Sequence, residues 1–82
     1  MTKTINVQVT KVFEARPLAE LVGKANEFSS KIIISMDNKT VNAKSIMGVM
    51  GLGIESGKDL LIEAEGNDAE EAIEAMAKFL EA

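Results

Sequence analysis

Two short stretches of the chain hold residues able to do chemistry, and both read as starts of helices. In Glu14-Ala15-Arg16-Pro17 a carboxylate and a guanidinium stand at the opening of a helix. The first helical turn tolerates proline because the missing N–H would have no partner there. A helix start presents unpaired N–H groups and a partial positive charge, so a carboxylate or phosphate near it is stabilised by about 0.3–1 kcal/mol when exposed. On composition alone, Glu14 caps this dipole and Arg16 is a solvated surface charge. The second stretch is Ser45, at the expected N-cap of a shorter helix, where its hydroxyl is placed to accept from a backbone N–H.

The missing residue types remove most other chemistries. The 82 residues include no His, Cys, Trp or Tyr. Without Cys there is no disulfide framework, zinc–thiolate site or thiol nucleophile; without His there is no Ser–His triad, imidazole metal ligand or phosphohistidine. No metal or cofactor is expected. Nine Lys and Arg against thirteen Asp and Glu give a net charge of -4, the wrong sign for a phosphate backbone, so nucleic acid is not an expected partner. Residues Met1 to Thr10 alternate polar and apolar where a signal peptide would be continuously apolar, and no apolar run approaches ~18 residues. A cytoplasmic protein with no membrane contact is the expectation.

The elements that must position these residues are legible from periodicity. Hydrophobic residues at 46% and charged ones at 27% describe a folded globular chain, and 82 residues suit one domain, 1–82. Surface scaling predicts a folded area of roughly 4,800 Å² against roughly 12,800 Å² unfolded. Ile5, Val7 and Val9 alternate with Asn6, Gln8 and Thr10, the pattern of a half-buried strand. Leu18, Leu21, Val22, Ala25 and Phe28 follow at helical spacing, predicting an amphipathic helix over about 16–27. Lys31 to Met36, the turn Asp37-Asn38, and Lys39 to Ala43 read as a hairpin. Ser45 to Gly53 is too rich in glycine for a long helix and predicts one of about two turns. Lys58 to Glu65 alternates again, a fourth strand expected inside the sheet. Asn67 and Glu70 stand at capping-box spacing before a last helix whose stripe is Ala69, Ala72, Ile73, Met76, Ala77 and Leu80. Strands patterned for one buried face, with helices to cover it, predict a two-layer α+β sandwich with an antiparallel sheet. Strand order is not readable from periodicity.

The short helix carries more apolar residues than it can bury. Ile46, Met47, Val49, Met50 and Leu52 cannot all face inward from about two turns, so some must be exposed, as in a docking patch for protein partners. Over this region, Lys39-Thr40-Val41-Asn42-Ala43-Lys44-Ser45-Ile46-Met47-Gly48-Val49-Met50 resembles the regulatory-serine segment of the HPr family. These are the small phosphocarrier proteins of the sugar phosphotransferase system and their regulatory relatives. Leu52-Gly53-Ile54 and Glu65-Gly66 fit as well, and the resemblance extends over nearly the whole chain. It implies a βαββαβα open-faced sandwich with strand order 1-4-2-3 and three helices on one face.

The departure lies where that family carries phosphate. The family pattern Gly-Leu-His-Ala-Arg-Pro corresponds to Val12-Phe13-Glu14-Ala15-Arg16-Pro17, so Glu14 takes the place of the phosphohistidine and Arg16 that of the phosphate clamp. A carboxylate is a weaker nucleophile than neutral imidazole and would give an acyl phosphate. Val12 replaces a glycine, so a positive φ there would be strained. In lacking the histidine the chain is similar to the Crh proteins of that family, and this resemblance implies a non-enzymatic regulator. HPr kinase/phosphorylase would phosphorylate Ser45, and a face of Arg16, Ile46, Met47 and Met50 would dock on a catabolite control transcription factor, with enzyme I and other phosphotransferase proteins as further partners. The added phosphate, about -1.5 to -2 in charge, would sit at the start of the short helix. Two alternatives stay open: a phosphocarrier using Glu14, and an adaptor that has lost both phosphorylations.

Overall fold

β-Branched residues in register build the sheet. In the computed structural model, which describes residues 1–10 and 14–81, the elements are β1 (Thr2–Gln8), α1 (Ala15–Ala25), β2 (Lys31–Met36), β3 (Lys39–Asn42), α2 (Ile46–Leu52), β4 (Asp59–Glu65) and α3 (Ala69–Glu81). The four strands pair antiparallel in the order β1-β4-β2-β3, as the resemblance implied. Ile5 lies opposite Ile62, Ile62 opposite Ile34, and Ile34 opposite Val41, so one row of branched side chains crosses all four strands. Such cross-strand pairs fix the register, because a slip of one residue would turn every one of them to the other face.

The alternation along β4 is complete: Leu60, Ile62 and Ala64 are buried while Asp59, Leu61, Glu63 and Glu65 face solvent. Helices cover the buried face with Leu21, Val22 and Ala25 of α1, Val49 and Leu52 of α2, and six residues of α3 including Ile73, Met76 and Leu80. The other face is left open, with the Ser35 and Thr40 hydroxyls 3.1 Å apart across β2 and β3 and Leu61 among its exposed side chains. The total accessible area is 4740 Å², close to the value that chain length predicts. Among the described residues no helix is long and apolar enough to cross a membrane.

Strands β3 and β4 are each one residue shorter than expected, and two helix ends differ for a visible reason. Helix α1 stops at Ala25, not near residue 27, because the N–H groups of Glu27 and Phe28 turn to the carbonyls of Lys24 (3.1 Å) and Ala25 (3.3 Å), tightening the exit. Helix α3 starts one residue later than the Asn67–Glu70 capping-box spacing implied. Asp68 directly precedes α3, and its carbonyl accepts from Ala72 N at 2.9 Å. Its carboxylate turns away from the helix and accepts from the Ser29 and Ser30 N–H groups, each at 2.9 Å, and from the Ser30 hydroxyl. Ser30 is buried, and its polar groups need an acceptor inside the protein. Over it lies Gly66, at φ 149, whose N–H donates to Met1 O at 2.8 Å.

These bonds, the Ser30 hydroxyl first and the Ser29 N–H next, lower the Asp68 pKa from 3.8 to about 2. A carboxylate whose folded pKa is depressed contributes stability that is present above its unfolded pKa and is lost as pH falls through the folded one. Wild type is therefore expected to lose this contribution between about pH 4 and pH 2. Thermal melts followed by circular dichroism from pH 5 to pH 2 test this: Asp68→Asn should start at a lower melting temperature and fall less steeply with acid. An unchanged slope would exclude Asp68 from the acid transition.

Candidate functional site

Glu14 occupies the N-cap position of α1 in an extended conformation (φ -109°, ψ -166°), and its carbonyl accepts from Leu18 N at 3.0 Å. Its side chain makes no capping hydrogen bond, so the carboxylate stands near the helix start only as a charge. The backbone alone supplies the cap acceptor, and the carboxylate is exposed. Arg16 is also exposed, in the first turn. The expectation of strain at Val12, and the Val12-Phe13 pair, lie outside the described residues.

At the start of α2 the expectation of a cap holds. Ser45 is extended (φ -105°, ψ 116°) and its Oγ accepts from Gly48 N at 3.1 Å. The hydroxyl is half-buried, held in a turn in which Asn42 contributes twice: its carbonyl accepts from Ser45 N at 3.0 Å and its Oδ1 from Lys44 N at 2.9 Å. Two further contacts tie this turn to the end of α1. Asn26 Nδ2 donates to Lys44 O at 3.3 Å and to Val22 O at 2.9 Å, and Lys44 Nζ donates to Phe28 O at 2.7 Å. The Lys44 ammonium is thus engaged with a backbone carbonyl. These tethers span 16 to 18 residues, a separation at which no local spacing in the sequence could have marked them.

Helix α2 is two turns long and ends at Gly53, whose left-handed conformation (φ 73°, ψ 44°) lets its N–H reach Met50 O at 3.3 Å. Val49 and Leu52 are buried and anchor it, whereas Ile46, Met47 and Met50 are 49%, 83% and 61% exposed. A groove of about 390 Å³ opens between α2 and the start of α1. Glu14, Ala15 and Leu18 line one side, and Ile46, Met50 and Ile54 are also among its walls. The fold therefore brings Glu14 together with Ile46 and Met50, which lie 32 and 36 positions further along the chain. Arg16, Ser45 and Met47 do not line this groove, although Ser45 caps the helix that forms its wall and Met47 belongs to that helix. Leu18 and Ile54 are wall residues that sequence reasoning did not assign to a site; Leu18 was read only as part of the α1 stripe, and its half-burial shows that it also faces the groove. Among the described residues no cluster of acidic side chains is arranged to hold a metal ion.

Comparison with known proteins supplies the family. The family profile described as "PTS HPr component phosphorylation site" matches residues 1–82. The HPr-like protein Crh of Halalkalibacterium halodurans is 48% identical over 79 residues, 96% of this chain and 94% of that protein. Among solved structures, the phosphocarrier protein HPr of Bacillus anthracis superposes with a TM-score of 0.95 at 48% identity, covering 98% of both chains. The Crh of Bacillus subtilis, whose crystal structure revealed a swapped dimer, gives 0.78 at 39% identity over 95% of this chain and 92% of that one. HPr and Crh proteins are phosphocarriers and regulators, not catalytic enzymes. A groove at the start of α1, a serine-capped α2, the strand order 1-4-2-3 and these full-length matches together establish that the chain belongs to the HPr family of the phosphotransferase system.

Proposed function

We propose that this chain is a single-domain cytoplasmic regulator of the Crh kind, which is read by partners after phosphorylation of Ser45 and does not relay phosphoryl groups. The observation that carries this reading is the site itself: the groove that opens at the head of α1 has Glu14 on its wall in a chain with no histidine, while Ser45 and the exposed α2 side chains stand beside it. A phosphate on Ser45 would add about -1.5 to -2 of charge where the helix N–H groups point, so the modification tightens an existing cap without refolding. The partners are HPr kinase/phosphorylase, which adds and removes the phosphate, and a catabolite control transcription factor. The phosphate-bearing face, with Arg16, Ile46, Met47 and Met50, would dock on the latter. Incubation with HPr kinase/phosphorylase and ATP, followed by intact mass and peptide mapping, is expected to show one added phosphate on the peptide containing Ser45. An unchanged mass would reject the regulatory reading in favour of a non-phosphorylated adaptor.

A second reading has one specific observation in its favour, the uncapped carboxylate of Glu14 on the groove wall. A phosphocarrier using that carboxylate would accept phosphate from enzyme I and phosphoenolpyruvate as an acyl phosphate, with Arg16 as clamp. A label that hydroxylamine releases would support it, and no label at all would end it.

A further inference from the structure

The docking face includes two of the protein's three most exposed sulfur atoms, and we infer that Met47 and Met50 form a reversible peroxide-oxidation site that controls docking. This inference rests on the reading of the α2 face as the binding surface. Met47 is 83% and Met50 61% exposed, whereas Met36 is 6% and Met76 0% exposed. The two exposed side chains are three positions apart on one short helix, so they lie on neighbouring parts of its surface. Met50 lines the groove and Met47 is two residues from the Ser45 cap. The remaining exposed methionine, Met1, sits beside the β4–α3 turn, where its carbonyl accepts from Gly66 N.

The chemistry needs only a hydroperoxide. A thioether lone pair attacks one oxygen of hydrogen peroxide, an S–O bond forms as the O–O bond breaks, and the departing hydroxide takes the proton of the transferred oxygen and leaves as water. Sulfur loses two electrons and the peroxide gains them. Methionine sulfoxide reductases reverse the change with two thiols, which become a disulfide as the sulfoxide oxygen leaves as water. The product is polar and chiral where the docking face needs soft apolar contact. Folding is spared, because α2 is anchored by Val49 and Leu52, neither of which can be oxidised. A sulfoxide pressed into a partner without a donor of its own weakens docking by about tenfold.

The test is titration of the folded chain with hydrogen peroxide, mapping of methionine sulfoxide by peptide mass, and measurement of the initial rate of Ser45 phosphorylation by HPr kinase/phosphorylase. Met47 and Met50 are expected to oxidise well ahead of Met36 and Met76, the phosphorylation rate to fall about tenfold, and treatment with the reductases and a dithiol to restore it. A Met47→Leu/Met50→Leu variant, compared before and after peroxide, should keep its own starting rate even though Met1 is oxidised. Equal oxidation of all methionines, or an undiminished rate on the oxidised chain, overturns the inference alone. No phosphorylation of the untreated chain overturns the docking reading, and the inference with it.

Discussion

Gly66→Ala is expected to lower the free energy of unfolding by about 2–5 kcal/mol, the sum of a backbone conformation closed to L-residues and an overpacked contact. At φ 149 the residue stands where glycine alone is comfortable. A Cβ built there would lie 2.6 Å from Ser30 Oγ and 2.8 Å from Ser30 Cα. The second contact is with backbone, so no rotation of the serine relieves it. Nor can Ser30 retreat, because its N–H and hydroxyl are both bonded to Asp68. Urea unfolding at neutral pH measures the loss. Gly23→Ala is the matched control: it lies in α1 with nothing within 4 Å of the added carbon, and should be neutral or stabilising by up to about 1 kcal/mol. A Gly66→Ala protein as stable as wild type would refute the close packing of the β4–α3 turn on Ser30.

The second large effect concerns the proposed modification. Ser45→Ala should abolish phosphate incorporation by HPr kinase/phosphorylase and, separately, cost about 0.5–2 kcal/mol, because Gly48 N loses its side-chain acceptor. The two consequences are separable with Ser45→Asp, since aspartate is as good an N-cap as serine but offers no hydroxyl. That variant should incorporate no phosphate while melting within a few degrees of wild type. Phosphate incorporation that survives in either variant would place the modified residue elsewhere and remove Ser45 from the mechanism.

The parts of the fold that repeat locally were legible in the sequence. Period-two alternation found β1 and β4, β-branched density found β2, and the stripe from Ala69 to Leu80 found α3, because each pattern records burial against one surface. Strand order came only from the resemblance, since pairing of β4 between β1 and β2 leaves no trace in periodicity. At the site, Ser45 was legible as a cap because capping is local. At Glu14 only the charge near the helix start was legible, since a glutamate carboxylate can stay in solvent and leave the cap to the backbone. The Asp68 displacement was illegible for a different reason: Ser29 and Ser30, which draw its carboxylate away, are 38 to 39 residues distant. A local motif predicts a side chain's partner only where no remote group competes for it.

The central position of β4 has a consequence for synthesis on the ribosome. β1, the first strand to emerge, pairs only with Asp59–Glu65, so Thr2 must wait for Glu65, 63 positions later. Until then a nascent chain holds the β2–β3 hairpin and two helices with no central strand to join them. High contact order of this kind delays folding until nearly the whole chain is available. The growing polypeptide thus exposes Ile5, Val7, Ile32 and Ile34 together from the synthesis of Ile34 until β4 has been made, and β4 decides whether β1 ever finds its place.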